Sequence, residues 1–237
     1  MKRVWIVVGA VLALAVMGAL LYLFLFGMSG LHLSEKPADG QTRVACVGDS
    51  ITYGHGVAVW PKNQYPKVLG RFLGEGFCVN NYGVSGTTAQ DTGDSPYRHT
   101  AIYLKSLNFD ADILVFMLGT NDSKPYNWTD ANAFKTQYLS LLDDYALSEP
   151  SKVFLCTPAR AFWTDGSTSG PTAFDIQPLV VDEIAQAVRE IAAERGYRLI
   201  DVYELTSVHP EWFEADGVHP DKEGAAAMAQ LIAEAIR

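Results

Sequence analysis

Cysteine is scarce in this chain of 237 residues, and the three that occur do not form a metal-binding pattern. Cys46, Cys78 and Cys156 each lie inside an apolar run, and no spaced cluster of Cys and His suggests structural zinc. We therefore predict buried free thiols that pack as small hydrophobic groups, with a Cys46–Cys78 disulfide as the alternative. Neither a metal ion nor an organic cofactor is expected.

Basic residues are also in the minority. The chain has 18 Lys and Arg residues against 27 Asp and Glu residues, which gives a formal net charge of -9 at pH 7. Proteins that bind nucleic-acid phosphates usually present a clustered basic face, and the sequence contains no such cluster. A nucleic-acid partner is therefore not expected, and solubility is a sufficient explanation for the acidity.

The segment from Val4 to Met28 has no charged residue at all. A helix of this length would be about 37 Å long at ~1.5 Å per residue, enough to cross a hydrocarbon core of ~30 Å with some tilt. The run is longer than the apolar region of a signal peptide, and bulky residues occupy positions 21–26, where a cleavage site needs small ones. We predict a membrane anchor in residues 1–28, with a cleaved signal peptide and a secreted product as the alternative.

The flanks of this segment predict its orientation. Lys2 and Arg3 precede the apolar run, and the positive-inside rule then places the N-terminus in the cytoplasm. We expect the rest of the chain to lie outside the cytoplasm, held at the cell membrane through residues 4–28. Residues 29–42 are polar and contain Gly and Pro, so they are predicted to form a linker. Residues 43–237 remain for the folded domain.

Short apolar runs alternate with helical patterns along this domain. The predicted strands are Arg43–Gly48, Gly76–Tyr82, Asp112–Leu118, Lys152–Thr157 and Arg198–Val202. The predicted helices are Tyr65–Leu73, Tyr97–Leu107, Asp130–Leu147, Asp175–Arg195 and a last helix that Asp221 caps. Continuous apolar strands that alternate with helices indicate a parallel sheet covered on both faces. The prediction is a single three-layer α/β/α domain with a five-stranded parallel sheet, of the flavodoxin-like kind.

Small and polar residues follow the first three predicted strands. Ser50 lies in the segment after the first strand, Gly86 in that after the second and Asn121 in that after the third. In open α/β sheets, ligands bind at the carboxyl ends of the strands. The sequence therefore predicts a functional site at this edge of the sheet. Asp49 and Asp122 are expected to structure their loops.

One of the five histidines has a carboxylate at a useful spacing. Asp216 precedes His219 by three residues, immediately ahead of the last helix, and it can accept a hydrogen bond from Nδ1 so that Nε2 faces a hydroxyl. A neighbouring helix N-terminus would also favour the neutral ring, which can act as a base. Structural roles are the better interpretation of the other four, which are His32, His55, His99 and His209.

Taken in order, these motifs resemble those of the SGNH hydrolases, also called the GDSL-type family. The resemblance covers Val44 to Pro220 and includes Gly-Asp-Ser, N-x-G-x-x-G, Gly-x-Asn-Asp and Asp-x-x-His-Pro motifs. The G-x-S-x-G motif of ordinary α/β-hydrolases is absent. The resemblance implies a serine esterase that forms an acyl-enzyme at Ser50, with Asp216 and His219 completing a catalytic triad. It further implies an oxyanion hole made by the backbone N–H groups of Ser50 and Gly86 and the side-chain amide of Asn121.

The substrate is less constrained by the sequence. Residues 97–100 and 119–125 resemble SGNH members that act as carbohydrate O-acetylesterases, so we predict removal of acetyl groups from carbohydrates. A lysophospholipase or thioesterase for longer acyl chains, an O-acyltransferase and a non-catalytic glycan-binding module remain alternatives, and the oligomeric state is open. Lys124 could contact an acidic group on a substrate, with solvated surface charge as the better interpretation. Candidate substrate contacts, with loop packing as the alternative, are Asp49, Tyr53, Trp128 and Trp163.

Overall fold

A five-stranded parallel sheet organises the folded part of the protein. The computed structural model describes residues 11–21, 32–145, 147 and 149–237. The strands are Thr42–Gly48 (β1), Phe77–Gly83 (β2), Ile113–Met117 (β3), Val153–Cys156 (β4) and Arg198–Ile200 (β5). Their order across the sheet is β2-β1-β3-β4-β5, so the direction of winding changes between β1 and β3. The predicted five-stranded parallel sheet is confirmed, with small differences at the strand ends.

Helices cover both faces of this sheet. They are Ser50–Tyr53 (α1), Trp60–Asn63 (α2), Tyr65–Leu73 (α3), Ala101–Asn108 (α4), Ala131–Asp143 (α5), Pro178–Arg195 (α6), Val202–Ser207 (α7) and Lys222–Ile236 (α8). Short 3-10 helices lie at Tyr97–His99, Asn121–Ser123, Pro150–Lys152, Ala173–Asp175 and Pro210–Trp212. The three-layer α/β/α arrangement is therefore confirmed as well.

Alternate residues of each strand belong to two different apolar cores. Ala45 and Val47 of β1 pack in the core that contains Phe134 of α5 and Ile184 of α6. Val44 and Cys46 point to the opposite face, where α3 and α8 close the second core. This alternation follows from the period of two in a strand. It explains why strands buried on both faces appear as continuous apolar runs in the sequence.

The three cysteines are free and buried. Cys46 and Cys156 belong to the same core, beneath α8. Burial raises the pKa of both thiols well above the ordinary value, which keeps them protonated and unreactive. The prediction of buried free thiols is confirmed, and the alternative of a Cys46–Cys78 disulfide is wrong.

Several helix boundaries differ from prediction. The predicted helix Asp130–Leu147 ends at Asp143. The predicted helix Tyr97–Leu107 is a 3-10 turn followed by α4, because the Thr100 side chain accepts a hydrogen bond from the Tyr103 N–H and caps a new helix. The predicted helix Asp175–Arg195 begins later, at Pro178. Asp175 has a left-handed φ of 61°, which a right-handed helix cannot include.

The N-terminal region bears on the predicted anchor and linker. Residues 11–21 are helical and exposed, and the remainder of 1–28 lies outside the described residues. Among the residues that the structure describes, no helix combines the length and the apolar character needed to cross a membrane. The membrane anchor stays a prediction.

Part of the predicted linker 29–42 packs against β2. The Glu35 N–H donates to the Asn80 side-chain oxygen at 2.8 Å, and the Asn80 amide donates back to the Glu35 carbonyl at 2.9 Å. The Asn80 side chain is buried, and this reciprocal pair gives both its amide oxygen and its amide nitrogen a hydrogen-bond partner. Residues around Glu35 are thus fixed to the domain that was predicted to begin at residue 43.

Candidate active site

Three side chains from opposite ends of the sequence form one hydrogen-bonded chain. Ser50 Oγ lies 2.9 Å from His219 Nε2, and His219 Nδ1 lies 2.8 Å from Asp216 Oδ2. Ser50 is 7% exposed and His219 is 5% exposed, so water is largely excluded from the contact between them. The structure therefore brings together all three residues that the sequence predicted as a triad.

The turn after β1 presents Ser50 at the carboxyl edge of the sheet. Asp49 Oδ1 accepts a hydrogen bond from the Ile51 N–H at 2.9 Å and caps α1, which starts at Ser50. A Cβ atom at Gly48 would lie 2.1 Å from Thr52 Oγ1, so only glycine fits under this short helix. Burial raises the pKa of Asp49 to about 6. Asp49 is therefore a structural acid of this turn.

A second turn, ahead of α8, holds His219. Asp216 Oδ1 accepts hydrogen bonds from the N–H groups of Val218 at 2.8 Å and His219 at 2.9 Å. Burial alone would raise the pKa of Asp216, but the hydrogen bonds from the His219 side chain and these two N–H groups outweigh it and lower the pKa to about 2. Asp216 is thus ionised near neutral pH and orients the imidazole through Nδ1.

Gly86 and Asn121 lie on the neighbouring loops, after β2 and β3. Gly86 has a φ of +84°, a conformation that strains any residue with a side chain, while an added Cβ would point into open space. The Asn121 amide donates one hydrogen bond to the Thr87 carbonyl at 3.1 Å. A side-chain amide has two N–H donors, so the second is available to a ligand. Asn127 donates to the Asn121 carbonyl at 2.9 Å and fixes this residue further.

Asp122 ties these two loops together. Its carboxylate is fully buried and accepts hydrogen bonds from the backbone N–H groups of Ala89 and Gln90, each at 2.9 Å. Burial raises the pKa of Asp122 to about 6 although both hydrogen bonds favour the ionised form. The expected loop-structuring role of Asp122 agrees with these contacts. The carboxylate sets the distance between the Gly86 loop and Asn121.

These residues surround a cavity of about 140 Å³. An engineered apolar cavity of ~150 Å³ accommodates benzene, so this space suits a small acyl group better than a long chain. The cavity lies at the carboxyl edge where the winding of the sheet reverses, as expected for a doubly wound fold. It is lined by Ser50, His55, Ser85, Gly86, Thr120, Asn121, Lys124, Phe174, Ile176, Val218 and His219.

The four candidate substrate contacts lie outside this lining. Asp49 caps α1, and the Tyr53 ring packs in the interior against Trp60 at 5.0 Å between ring centroids. Trp128 packs against the core residue Phe134 at 6.1 Å. The Trp163 indole N–H donates to the Gly170 carbonyl at 3.0 Å within its own loop. Loop and core packing, the alternative interpretation, accounts for the observed positions of the three aromatic residues.

Two lining residues differ from the sequence interpretation, and a third, Phe174, had none. Lys124 is only 8% exposed, with Nζ 3.4 Å from Asp94 Oδ2, so the interpretation as solvated surface charge is wrong. His55 lies against the catalytic candidate His219, with 4.6 Å between ring centroids. Burial, followed by the proximity of His219, lowers the pKa of His55. Phe174 lies 5.2 Å from the His219 ring.

The sequence could have indicated the position of His55 but not that of Phe174. His55 follows Ser50 closely in a glycine-rich loop, and that proximity was a usable signal. Phe174 has no such signal, because it belongs to an irregular segment between β4 and α6 that only the fold brings to His219. Within residues 11–21, 32–145, 147 and 149–237, no group of three or more His, Cys, Asp or Glu side chains is placed to hold a metal ion.

Comparison with known proteins gives a family match over most of the domain. The sequence profile of the GDSL-like lipase/acylhydrolase family matches residues 46–227. An acetylxylan esterase of Xylanibacter ruminicola is 33% identical over 219 residues, which cover 85% of this chain and 44% of that protein. The chain therefore spans less than half the length of this curated relative.

Solved structures share the fold. A lipase/acylhydrolase from Enterococcus faecalis superposes with a TM-score of 0.64 at 21% identity, over 83% of this chain and 95% of that one. A carbohydrate acetylesterase from Sinorhizobium meliloti superposes with a TM-score of 0.63 at 16% identity, over 83% of this chain and 98% of that one. At these identities the likeness establishes the three-layer architecture alone.

Proposed function

The chain belongs to the GDSL-like lipase/acylhydrolase family, and on that premise we propose that it is a serine ester hydrolase that removes acetyl groups from carbohydrates. The matching profile agrees with the family predicted from the sequence. It also agrees with the predicted enzyme class, a carboxylic ester hydrolase. The observation that carries the proposal is the hydrogen-bonded chain from Ser50 to Asp216, which opens into a cavity beside Gly86 and Asn121.

In the first half of the reaction, Ser50 Oγ attacks the ester carbonyl carbon while His219 Nε2 takes the hydroxyl proton. The ionised carboxylate of Asp216 stabilises the imidazolium that forms. The tetrahedral intermediate then collapses, the bond to the alcohol oxygen breaks, and His219 returns the proton to that oxygen. The alcohol leaves and the acyl group remains esterified to Ser50.

In the second half, water replaces the alcohol. His219 Nε2 accepts a proton from the water as its oxygen attacks the acyl carbonyl carbon, and a second tetrahedral intermediate forms. Its collapse breaks the bond to Ser50 Oγ, which regains a proton from His219. Acetic acid and the regenerated serine are the products, so no external oxidant or reductant takes part.

Both intermediates carry negative charge on the former carbonyl oxygen. We assign its stabilisation to the backbone N–H groups of Ser50 and Gly86 and to the free N–H of the Asn121 amide. Ser50 is the first residue of α1, where backbone N–H groups have no partner within the helix. Donors fixed in a buried site need no reorganisation during the reaction, which makes each of them effective.

Two observations support acetyl esters of carbohydrates in particular. The cavity of about 140 Å³ is small, which favours an acetyl group over a long acyl chain. The relative with 33% identity is named an acetylxylan esterase. An octanoyl ester hydrolysed faster than an acetyl ester of the same alcohol would contradict this part of the proposal and favour a lysophospholipase or thioesterase.

We further propose that the protein acts outside the cytoplasm, anchored at the cell membrane through residues 4–28. The support is the uncharged apolar run and the preceding Lys2 and Arg3. We expect the full-length protein to stay with the membranes after a carbonate wash. Added protease should digest the domain only from the outer side. Release of a shortened protein into the medium would favour the cleaved signal peptide instead.

The central experiment measures acetate release from acetylated xylan oligosaccharides and from p-nitrophenyl acetate. Ser50→Ala should lower kcat by at least about 10⁴-fold, because the acyl-enzyme cannot form. Ser85→Ala is a matched control, since Ser85 lines the same cavity and its buried hydroxyl oxygen has no hydrogen-bond partner among the described residues. Equal activity of the parent and Ser50→Ala proteins would remove Ser50 as the nucleophile. Comparable losses in both serine variants would point to damage to the cavity.

A further inference from the structure

An exposed aromatic side chain lies beside the catalytic histidine without a part in the proposed chemistry. Phe174 is 55% exposed, yet it lines the same cavity as Ser50. Its ring meets that of His219 edge to face, at 5.2 Å between centroids and an angle of 75°. The His55 ring lies 6.5 Å from Phe174 and 4.6 Å from His219. His219 is therefore bordered by both rings.

The backbone that presents Phe174 is in an unfavourable conformation. Phe174 has φ 59° and ψ 25°, and the next residue, Asp175, has φ 61°. Two successive left-handed residues that are not glycine persist only where the surroundings impose them, and such strain concentrates at binding and catalytic sites. Because the Phe174 ring is mostly exposed, its burial contributes little free energy to offset this strain.

The surroundings that impose the conformation are visible. Thr172 donates its N–H to the Ile176 carbonyl at 2.7 Å, which closes the segment into a tight loop. The Thr172 hydroxyl also donates to the Phe162 carbonyl at 3.0 Å. Ile176 is buried in a small core with Val181 and Val218, next to His219 in the chain. The loop is thus held at both ends, and its tip carries Phe174 to the cavity mouth.

The proposed reaction determines which part of a substrate Phe174 would meet. The carbonyl oxygen must lie near Gly86 and Asn121, and the leaving alcohol oxygen must lie within reach of His219 Nε2, which protonates it. Groups packed around the His219 ring are therefore those closest to the alcohol half of the ester. Phe174 and His55 both lie in this position.

We infer that Phe174, together with His55, forms a subsite for the alcohol half of the substrate, where the phenyl ring stacks on the apolar face of a pyranose. The inference rests on the proposed ester hydrolysis at Ser50 and names what would determine its alcohol specificity. A pyranose presents C–H groups on its faces and hydroxyls at its rim, which suits an aromatic ring beside a polar one. His55 has ring nitrogens that can bond a rim hydroxyl.

The test compares two acetyl esters that differ in the alcohol. Ethyl acetate offers no ring to stack, whereas mono-O-acetyl xylobiose does. Phe174→Ala should lower kcat/KM on acetyl xylobiose by about tenfold and on ethyl acetate by less than about twofold, and Phe174→Trp should restore the first value. Phe72→Ala is the matched control, because Phe72 is a partly exposed phenylalanine at the end of α3, outside the cavity lining. It should leave both values unchanged.

Binding supplies a measurement that does not require turnover. Xylotriose binding to the Ser50→Ala protein is measured by titration calorimetry. Its affinity should be about tenfold weaker for the double variant that carries both Ser50→Ala and Phe174→Ala. Equal losses of kcat/KM on both esters, with unchanged xylotriose binding, would show that Phe174 only supports His219 and would overturn the inference. A Phe174→Ala protein with the parent's values in both assays would also overturn the inference. A parent that binds xylotriose through Phe174 but hydrolyses neither ester would instead overturn the proposed function.

Discussion

The two sides of the cavity are built in different ways. On the inner side, Ser50, Gly86 and Asn121 follow three adjacent strands, and buried carboxylates hold their loops through backbone hydrogen bonds. On the outer side, Phe174 is carried at the tip of a strained loop and is more than half exposed. The proposed nucleophile and oxyanion donors thus lie at the edge of the sheet, whereas the ring proposed for substrate choice lies on a loop, the kind of segment that usually varies among related proteins.

Carboxylates of the site respond to their surroundings in opposite directions. Asp49 and Asp122 lie beneath the inner side, where burial raises the pKa of each to about 6. Burial also acts to raise the pKa of Asp216, which contacts His219, but the hydrogen bonds that this carboxylate accepts together outweigh burial and lower the pKa to about 2. Asp122 and Asp216 should therefore contribute oppositely to stability in acid.

After the loss expected for Ser50→Ala, the largest effect is expected on the inner side, at Asn121. Asn121→Ala should lower kcat by about 10²–10³-fold while leaving the fold intact, because one preorganised oxyanion donor is lost. This exceeds the effect expected from Phe174→Ala on the outer side. Steady-state kinetics on p-nitrophenyl acetate and thermal unfolding of the same samples measure both quantities. The exposed residue Asn132 provides a control, since Asn132→Ala removes the same group from the start of α5.

An Asn121→Ala protein with unchanged kcat and an intact fold would remove this residue from the oxyanion hole. It would also weaken the comparison, since the inner side would then supply one oxyanion donor fewer than proposed. A fall in activity matched by the Asn132→Ala control would show a general effect of the substitution.

The next effect concerns pH and stability at Asp122. Its folded pKa, about 6, lies above the ordinary value of 3.8, so this group favours the folded state fully below pH 3.8 and loses that contribution as pH rises through 6. Asp122→Asn should abolish this dependence, which amounts to roughly 2–3 kcal/mol across the window. Urea unfolding at intervals between pH 3.5 and 7 measures the free energy of unfolding in both proteins.

Asp216 provides the opposing case for the same measurement. Its folded pKa, about 2, lies below 3.8, so its contribution is present above pH 3.8 and is lost as pH falls through 2. Asp216→Asn should therefore flatten the stability profile only at the acidic end. Identical slopes for the Asp122→Asn and parent proteins between pH 4 and 6 would contradict the effect of burial on Asp122.

The smallest effect is expected far from the cavity, where the predicted linker contacts β2. A protein of residues 41–237 lacks Glu35 and leaves the buried Asn80 side chain without the two hydrogen bonds that Glu35 makes. Compared with residues 32–237, we expect a Tm lower by about 2–6 °C with unchanged kcat, because loss of a buried hydrogen-bonded pair costs roughly 1–2 kcal/mol. Differential scanning calorimetry measures the difference.

Asn80→Ala in the longer protein separates the bond from the rest of the segment. It removes both polar atoms on the domain side, so shortening this variant to residue 41 should cost less than shortening the parent protein. Equal costs in the two backgrounds would assign the stability to other contacts of residues 32–40. A fall in kcat on shortening would show that this segment also influences the cavity.

Most of the inner side could be predicted from the sequence. Ser50, Gly86 and Asn121 follow strands whose apolar runs are recognisable, and adjacent parallel strands necessarily end at one edge. Asp216 and His219 are close in the chain, so their contact depends on a local turn. The structure places all five where these local rules suggest. The strand positions were predictable for the same reason, because each strand is buried on both faces.

The outer side could not be predicted in this way. Tyr53 ends α1, and Trp128 and Trp163 occupy loops, yet each packs into its own surroundings and none of the three lines the cavity. His55 and Phe174 reach His219 instead. The direction of a loop side chain depends on contacts between distant segments, and motif spacing does not encode them.

The sequence by itself determined the α/β architecture, the family and the grouping of Ser50, His219 and Asp216, because these depend on periodicity and on short motifs. Only the tertiary structure decided what surrounds His219. The Phe174 loop is held by Thr172 and by the burial of Ile176, and this combination of one backbone hydrogen bond with distant packing has no signature in the chain. Long-range packing, which local residue patterns do not specify, therefore decided which aromatic ring reaches the cavity.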